Sequence, residues 1–281
     1  MRNPGLAGLA GLVRDAQDDD YDAYGKLFPE LGTDDPIAPK ERWVAEIKPG
    51  ILLLEEAGEI TGYAYWKRLG EDVYVFNIVV AKTSRGRGRG RALMMEIAKR
   101  ARAEGFTRWQ LNVKVDNVPA ISLYSSLGFA TAYASCPMRF PWAALSALPT
   151  DKQEIQAQIV EPNDDAALEV AFGLPRGRIH ELRLRAGWVM MRLVDETKPD
   201  ETRLGFACFN PSFPGAFPFR VVRPSLARVL LEAIQPHALP EHQHVGIVVE
   251  DDAALKQQLL DVGANVRFEL LHMTGSIPEL G

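Results

Sequence analysis

Cysteine is scarce in this chain, whose 281 residues include only Cys136 and Cys208. Two cysteines so far apart form neither a disulfide framework nor a four-ligand metal site, so we expect a reducing, cytoplasmic setting and no metal. The chain also lacks any run of the roughly 20 apolar residues that a membrane span requires. The stretch Asn3–Val13 is short and broken by glycine, so we expect residues 1–10 to form a loose N-terminal extension.

Positive charge is not in excess either, because the net charge is -5 and the isoelectric point is about 5.6. This balance excludes a protein whose whole surface binds a polyanion, although a compact basic patch is compatible with it. We therefore expect no nucleic-acid partner and no membrane partner. The hydrophobic content of 47% and charged content of 25% are typical of a folded protein, and 281 residues are enough for two domains.

Strand and helix signals alternate in the first half of the chain. Apolar runs bounded by glycine and charged residues predict strands at Ile51–Glu55, Thr61–Lys67, Val73–Val80 and Trp109–Val115. Leu93, Ile97 and Ala101 recur at helical spacing, and Gly105 is a suitable residue to end that helix. The first half is thus predicted to combine a sheet with helices.

The second half of the chain repeats the first in a degenerate form. Three pairs of stretches correspond: Thr61–Lys82 with Leu204–Pro224, Leu93–Ala98 with Val229–Ile234, and Val115–Met138 with Glu250–Met273. Gly62 and Gly205 are 143 positions apart, about half the chain, which indicates a duplicated domain and not a solenoid of short units. The boundary is expected near Ser146–Gln153, where proline and polar residues follow the last strand of the first copy.

The two copies differ in one connection between a strand and a helix. Val80 and Glu96 are 16 residues apart, whereas the matching Val222 and Glu232 are 10 apart. The deletion removes the segment Arg85–Arg91, "RGRGRGR", which we call the glycine loop. Because both copies share the strand and helix pattern while only one has this loop, the loop is a candidate for function and not for folding.

A glycine-rich turn between a strand and a helix forms an anion site from backbone N–H groups at the positive end of the helix dipole. Glycine permits positive φ and close approach of a ligand, and arginine adds charge-assisted hydrogen bonds to phosphate oxygens. The glycine loop supplies both residue types in alternation: Arg85, Gly86, Arg87, Gly88, Arg89, Gly90 and Arg91. A pyrophosphate has the size for such a loop. The Walker motif and the dinucleotide fingerprint both match it poorly.

Two spaced motifs identify a family. The first motif is R/Q-x-x-G-x-G/A, and it is matched by Arg85, Gly88 and Gly90, with Val80 five residues before the arginine. The second motif is an Asn, a Tyr seven residues later and then a Gly-Phe pair, and it is matched by Asn117, Tyr124, Gly128 and Phe129. In this order they resemble the GNAT superfamily of acyl-CoA-dependent N-acyltransferases. The resemblance covers Leu12–Pro141 well and Gln156–Ile277 only as a degenerate copy.

The resemblance implies that acyl-CoA lies between two splayed strands, near Phe76–Val80 and Gln110–Val115. The cofactor-binding residues that it implies are Ile78, Val79, Val80, Arg85, Gly86, Arg87, Gly88, Arg89, Gly90, Arg91, Asn117 and Tyr124. The implied reaction is direct attack of a neutral amine on the thioester with both substrates bound. A backbone N–H near Val80 would polarise the carbonyl, and Tyr124 would donate a proton to the departing thiolate.

The sequence does not identify the general base. No carboxylate occurs in Tyr74–Val80, so the candidates are Glu71, Asp72, or a water ordered by Asn77 or Tyr74. The second copy has lost the acid, because its counterparts of Asn117, Tyr124 and Phe129 are Asp252, Leu259 and Ala264.

Several residues have a structural and a functional interpretation. In structural terms, Asn117 is suited to cap the N-terminus of a helix, and Gly128-Phe129 is suited to end that helix and place an aromatic ring in the core. Tyr124 is suited to a half-buried core position. The acidic stretch 15–24, with Asp34 and Asp35, indicates either a pocket for a cationic acceptor or a solvated helix. Trp43 and Trp66 lie either in an acceptor pocket or in the core. His242 and His244 have no third ligand of suitable spacing, so we expect no metal there.

We therefore expect an α+β (mixed α/β) protein of two GNAT-like domains, each a central mixed, mostly antiparallel twisted sheet flanked by helices. Residues 1–150 are predicted to bind acyl-CoA and to be catalytic, and residues 151–281 to be a degenerate copy without the pyrophosphate loop. The predicted function is transfer of an acyl group from acetyl-CoA or another acyl-CoA to a primary amine of a small molecule. We expect a monomer with an internal pseudo-dimer, or a weak homodimer. A non-catalytic acyl-CoA sensor and RNA binding through the glycine loop are the alternatives.

Overall fold

The structure is a computed structural model that describes residues 11–33, 35–198 and 201–279. The predicted extension at residues 1–10 and the acidic Asp34 lie outside the described residues. The chain divides into two compact units. Unit 1 contains the chain up to Ala132 and again from His272 onward, and unit 2 is Tyr133–Leu271.

Unit 1 is a sheet with helices packed on it. Its strands are β1 (Leu12–Asp15), β2 (Ile51–Glu56), β3 (Glu59–Leu69), β4 (Asp72–Val80), β5 (Arg108–Lys114), the start of β6 (Phe129–Pro141) and most of β13 (Leu270–Ser276). Its helices are α1 (Tyr21–Leu27), α2 (Lys40–Arg42, continued by a π-helical turn Trp43–Ile47), α3 (Arg89–Ala103) and α4 (Val118–Ser125). The strands follow the order β1-β2-β3-β4-β5-β13. The pairs from β1 to β4 are antiparallel and β4 pairs with β5 in parallel.

The apolar pattern of the sequence accounts for the core of unit 1. Four successive residues of β2, Ile51–Leu54, are buried, as expected for a strand covered on both faces. Helix α3 buries the predicted stripe of Leu93, Ile97 and Ala101. The helix ends as predicted at Gly105, whose φ of +88° is a left-handed conformation that glycine adopts readily.

An aromatic cluster joins α1 to the sheet. The ring of Tyr24 lies 5.6 Å from that of Trp43 and 5.1 Å from that of Tyr63, and Trp43 and Tyr63 are fully buried. Trp43 therefore belongs to the core and not to an acceptor pocket. Trp66 is half-buried and lines a surface cavity of about 530 Å³ together with Gly50.

Unit 2 has the same kinds of element. Its strands beside the rest of β6 are β7 (Ile155–Ile159), β8 (Val189–Asp195), β9 (Gly205–Asn210), β10 (Gly215–Val221), β11 (His244–Glu250) and the short β12 (Asn265–Val266). Its helices are α5 (Asp165–Phe172), α6 (Arg178–Arg183), α7 (Ala227–Ile234) and α8 (Ala253–Asp261). The strand order is β6-β11-β10-β9-β8-β7, with β12 beside β6. The pairs among β6 to β12 in the described residues are antiparallel, except that β10 and β11 are parallel. The predicted fold class is thus confirmed.

Gly62 and Gly205, which occupy matching positions of the proposed repeat, both lie in strands that pair with an antiparallel neighbour. Gly62 pairs with Val80, and Gly205 pairs with Val221. A Cβ on Gly62 would lie 2.7 Å from the Val79 carbonyl oxygen, so the neighbouring strand requires glycine there. A Cβ on Gly205 would lie 2.6 Å from Leu193 Cδ1, so the leucine side chain would have to shift.

The compact units differ in their bounds from the predicted domains 1–150 and 151–281. Strand β6 runs unbroken for 13 residues, and Ser135–Pro141 pairs with β11 of unit 2. Unit 1 receives His272–Ser276 of β13 in return. β6 follows α4 in the first copy of the repeat, and β13 follows the corresponding α8 in the second copy. Each strand therefore adds to the sheet formed by the other copy. The functional assignment of the two domains stays a prediction.

Candidate functional site

Strands β4 and β5 separate partway along their length. β4 pairs with β3 from Asp72 to Val80, but its parallel register with β5 ends at Val75 and Leu111. The β5-facing backbone edge of Phe76–Val80 is therefore open, as is the facing edge of β5 beyond Leu111. We call this gap the notch. Its rim includes the large exposed side chain of Phe76.

The glycine loop connects the open end of β4 to α3. Gly86 and Gly88 have φ of +75° and +77°, and a Cβ on either would meet no atom within 4 Å, so glycine is needed here for backbone conformation and not for space. The first helical hydrogen bond is Ala92 N–H to the Gly88 carbonyl, at 3.0 Å. Among the described residues, the six backbone amides from Gly86 to Arg91 have no acceptor. Such a run of amides at a helix N-terminus binds anions.

The four arginines of the loop divide into three that are bound to the protein and one that is not. Arg85 donates to the Val80 carbonyl and pairs with Glu30, Arg89 donates to the Arg87 carbonyl and pairs with Glu56, and Arg91 donates to Ser126 Oγ. Arg87 is exposed and its side chain has no hydrogen bond or ion pair with a described residue. Arg87 is thus the arginine available to a bound anion without breaking a contact.

The third glycine has a packing role. A Cβ on Gly90 would lie 3.1 Å from Leu123 Cδ2 of α4 and 3.9 Å from Ile78 Cγ2 of β4. Gly90 therefore allows the first turn of α3 to approach both elements. Of the other predicted strand contacts, Val79 is buried in the core, whereas Ile78 and Val80 are half-buried at the notch.

Asn117 and Tyr124 lie on the same helix, α4. Asn117 Oδ1 accepts from Ala120 N–H at 3.3 Å, so its predicted N-cap role is confirmed. Tyr124 is buried with its ring 5.9 Å from that of Phe129, and burial raises the pKa of its phenol to about 12. Its hydroxyl forms no hydrogen bond with a described residue. Gly128 ends the helix with φ of +86°.

The carboxylates considered as general bases are already engaged or exposed. Asp72 accepts from Gln110 Nε2 at 3.2 Å and pairs with Arg108 at 3.3 Å. Glu71 is exposed in the turn before β4. Asn77 donates its amide to the Phe76 carbonyl at 2.7 Å.

Unit 1 contains a buried histidine that no sequence pattern indicates. His272 of β13 lies in unit 1 and its Nδ1 is 2.8 Å from Oδ1 of Asn112 on β5, a residue 160 positions away in the chain. Burial lowers the pKa of His272, and the nearby Asp72 opposes that effect. No local pattern announces this contact, because the partner strand comes from the far end of the chain.

The acidic stretch before and within α1 is used for structure. Arg14 binds Asp20 through two hydrogen bonds of 2.8 and 2.9 Å, Asp15 pairs with Arg100, and Asp18 pairs with Lys48. The arginine lowers the pKa of Asp20. These ion pairs support the interpretation of this stretch as a solvated helix rather than an acceptor pocket.

Unit 2 has a similar separation of strands, but polar side chains fill it. The parallel register of β10 and β11 ends at Ala216 and Ile247. Beyond it, Arg220 of β10 pairs with Glu250 of β11, with both side chains largely buried. At the strand-to-helix connection, Asp151 accepts from Arg223 and from Ser225 Oγ. A carboxylate of the chain itself therefore lies at the connection that corresponds to the glycine loop of unit 1.

No helix in residues 11–33, 35–198 and 201–279 is long and apolar enough to cross a membrane. In the same ranges no group of three or more His, Cys, Asp or Glu side chains is placed to hold a metal ion.

Comparison with protein families gives a match over the part of the chain that contains the notch and the glycine loop. Residues 13–129 match the acetyltransferase (GNAT) family. The mycothiol acetyltransferase of Renibacterium salmoninarum is 33% identical over 105 residues, which are 34% of this chain and 30% of that protein. The [ribosomal protein bS18]-alanine N-acetyltransferase of Escherichia coli is 32% identical over 79 residues, 28% of this chain and 53% of that protein. The matches thus span about a third to a half of these relatives.

Solved structures show the fold of the whole chain. A GCN5-related N-acetyltransferase from Sphaerobacter thermophilus superposes with a TM-score of 0.67 at 17% identity, covering 96% of both chains. A tandem GNAT protein from the clavulanic acid biosynthesis pathway, solved without AcCoA, superposes with a TM-score of 0.62 at 16% identity, covering 96% of this chain and 99% of that one. At these identities the likeness shows the fold alone. Residues 13–129 therefore match the GNAT family, and the chain as a whole has the fold of solved two-domain GNAT proteins.

Proposed function

We propose that the chain is an N-acetyltransferase that transfers the acetyl group of acetyl-CoA to a primary amine of a small molecule, with both substrates bound at once. The observation that carries the proposal is the continuity of two features in unit 1. The β4–β5 register ends at Val75 and Leu111, and the open strand then leads through residues 81–85 to six backbone amides, Gly86–Arg91, that have no acceptor among the described residues.

These features fit the two ends of acyl-CoA. The amide-containing arm can pair with the open edge of Phe76–Val80 as an added strand, so that backbone groups supply the affinity. The pyrophosphate can accept from the Gly86–Arg91 amides, with Arg87 adding charge. In unit 2 the Arg220–Glu250 pair crosses the corresponding separation of strands and the glycine loop is missing, so we expect one acetyl-CoA per chain.

The reaction would proceed by nucleophilic attack of the neutral amine on the thioester carbon. The C–N bond forms and the C–S bond breaks, while a backbone N–H near Val80 stabilises the negative charge that develops on the carbonyl oxygen. Tyr124 would give its proton to the leaving sulfur. Because burial raises the pKa of Tyr124 to about 12, this phenol stays protonated at neutral pH and is able to act as the acid.

A non-catalytic acyl-CoA sensor is the second candidate, and the absence of any carboxylate in Tyr74–Val80 favours it. Both candidates bind acetyl-CoA, so binding alone does not separate them. An enzyme releases thiol in an amine-dependent manner, and a sensor does not.

The deciding experiment is therefore a thiol-release assay with acetyl-CoA over a panel of amines. The panel contains a polyamine, an amino sugar, free amino acids and a peptide with an N-terminal alanine, since the two curated relatives are named for mycothiol and for a ribosomal protein alanine. Amine-dependent release, with the acetylated product identified by mass, supports the enzyme. Tight acetyl-CoA binding without release by any amine supports the sensor.

A further inference from the structure

The phenyl ring of Phe76 stands in solvent at the end of the open edge of β4. Its side chain is 44% exposed, whereas that of the preceding Val75 is buried. A single exposed apolar side chain is common on protein surfaces, so the meaning of this one depends on what surrounds it. The acetyl-CoA contacts proposed above use only the backbone of Phe76, so its ring has no assigned role.

A bulge in β4 turns this ring outward. Trp66 pairs with Val75, and the next pair along the two strands is Tyr65 with Asn77. Phe76 is thus an extra residue of β4 that has no partner in the register with β3. A bulge of this kind bends the strand and changes the direction in which a side chain points. The exposure of the ring is therefore a consequence of the backbone.

Two tyrosine rings support the phenyl ring. The ring of Tyr74 lies 4.5 Å from that of Phe76 and is tilted against it, and the ring of Tyr65 lies 4.9 Å from it and is stacked on it. Both tyrosines are half-buried. We call the surface of these three rings the aromatic face. A further ring that contacts such a surface gains stabilisation beyond the area that it buries, because aromatic rings attract one another in stacked and edge-to-face arrangements.

A cation of the chain already lies on the aromatic face. Lys67 Nζ is 5.5 Å from the centre of the Tyr65 ring, which is a cation–π contact. Within the described part of the chain Lys67 forms no ion pair, and the carboxylate of Asp72 at the start of β4 pairs with Arg108 instead. The charge of Lys67 repels a second cation but not a neutral ring. The aromatic face therefore favours a neutral aromatic group over the further ammonium groups of a polyamine.

The aromatic face adjoins the end of the notch that lies away from the glycine loop. The proposed acyl-CoA arm pairs with the open edge Phe76–Val80, and the loop that would hold the pyrophosphate follows Val80 in the chain. Phe76 lies at the opposite end of that edge, where the pairing of Val75 with Leu111 closes the notch. An acceptor that enters the notch at this end contacts the aromatic face.

We propose that the aromatic face binds the non-reacting part of the acceptor, and that the preferred acceptors are monoamines that carry an aromatic ring. This inference rests on the proposed acetyltransferase function and names the substrate class of the same site. Phe76 is a specificity-determining residue in this arrangement, because its ring contacts the ring of the acceptor and takes no part in proton transfer. Loss of the Phe76 ring should therefore change the choice of amine and leave acetyl-CoA binding intact.

The test compares two amines of similar size, 2-phenylethylamine and 2-cyclohexylethylamine, in the thiol-release assay. We expect kcat/KM to be about fivefold higher for the aromatic amine in the wild type. In Phe76→Leu, which keeps an apolar side chain and loses the ring, the two amines should react equally well. Phe213→Leu, at an exposed phenylalanine of unit 2, is the matched control and should keep the preference. The Kd of acetyl-CoA should be the same in all three proteins.

Three kinetic results would overturn the proposal while leaving the acetyltransferase function in place. They are equal kcat/KM for the two amines in the wild type, an unchanged preference in Phe76→Leu, and a higher kcat/KM for spermidine than for 2-phenylethylamine. Acetyl-CoA binding without turnover of any amine contradicts the proposed function instead.

NMR of the phenylalanine rings gives a readout that needs no turnover. The chain has 12 phenylalanines, and Phe76→Leu identifies the signal of Phe76 by its loss. With CoA bound, we expect 2-phenylethylamine to shift that signal, and 2-cyclohexylethylamine, which has no ring current, to shift it less. A Phe76 signal that stays unchanged throughout the titration with 2-phenylethylamine would overturn the proposal.

Discussion

Arg85 Nε donates a hydrogen bond of 2.9 Å to the carbonyl oxygen of Val80. The same guanidinium pairs with Glu30 at 2.8 Å, so it is held from two sides. The bond ties the start of the glycine loop to the last residue of β4. In this arrangement Arg85 sets the direction of the loop, and the amides and Arg87 are left for the anion.

Alanine at Arg85 and at Arg87 should therefore weaken acetyl-CoA binding in different ways. We expect each substitution to raise Kd about tenfold, or about 1.4 kcal/mol. The loss in Arg87→Ala should shrink at high salt, because an exposed charge is screened, and its Tm should match that of the wild type. Arg85→Ala should lose affinity at any salt concentration and also lower Tm. Calorimetry at two ionic strengths checks this, with the exposed Arg176→Ala of unit 2 as control. Wild-type affinity in Arg87→Ala would contradict the assignment.

Tyr124→Phe should keep acetyl-CoA affinity and slow thiol release about 100-fold. The lost group is the proton donor, and its raised pKa of about 12 keeps it protonated below pH 10, so the wild type should show no loss of activity from Tyr124 in that range. Tyr63→Phe is the matched control, because its hydroxyl also has no hydrogen-bond partner among the described residues but lies in the core. Equal rates for Tyr124→Phe and the wild type would remove the acid role.

Glu56 should stabilise the fold in a pH-dependent manner. The hydrogen bond from Arg89, and to a smaller extent the one from Thr61, holds the pKa of Glu56 below its ordinary 4.5. The carboxylate therefore stabilises the folded chain above about pH 4.5, and this contribution is lost as the pH falls through the lowered pKa. Glu56→Gln should cost about 1 kcal/mol at pH 7 and less in acid, as measured by urea unfolding. The exposed Glu59→Gln should cost nothing, and a pH-independent loss in Glu56→Gln would contradict the ion pair.

A fragment of residues 1–150 should be much less stable than unit 1 in the full chain. It lacks β13, and it also lacks Ile277, whose N–H donates to the Thr107 carbonyl at 2.8 Å and whose carbonyl accepts from Arg102. We expect the fragment to aggregate or to bind acetyl-CoA at least tenfold more weakly than the full chain, and a peptide of residues 268–279 to restore part of the binding. A fragment with full affinity and activity would show that β13 is dispensable.

Local features of unit 1 were readable from the sequence. The strands, the α3 stripe, the stop at Gly105 and the cap at Asn117 each depend on residues within one or two turns of each other, and apolar period and capping chemistry report such neighbours. The deletion of the glycine loop in the second copy was also visible, because it is a difference in spacing.

Contacts between distant parts of the chain were not readable. The exchange of β6 and β13, and the contact of Asn112 with His272, join residues whose own neighbours carry no sign of the pairing. The roles of the four loop arginines were equally hidden, since their partners Glu30, Glu56 and Ser126 come from separate elements. A histidine in a late strand of the degenerate copy gives no local reason to expect it beside β5 of the first copy.

The most direct test of the account is the stoichiometry of acetyl-CoA binding to the full chain, measured by titration calorimetry. We predict one site per chain, lost in Gly88→Val and retained in Gly105→Val. Both glycines have a left-handed φ, of +77° and +88°, and open space around the missing Cβ, so the two substitutions impose similar backbone strain. Of these two glycines only Gly88 lies in the glycine loop, where the backbone amides from Gly86 to Arg91 have no acceptor in the part of the chain that the structure describes. Absence of binding, two equivalent sites, or wild-type affinity in Gly88→Val would contradict the assignment of the glycine loop as a single pyrophosphate site.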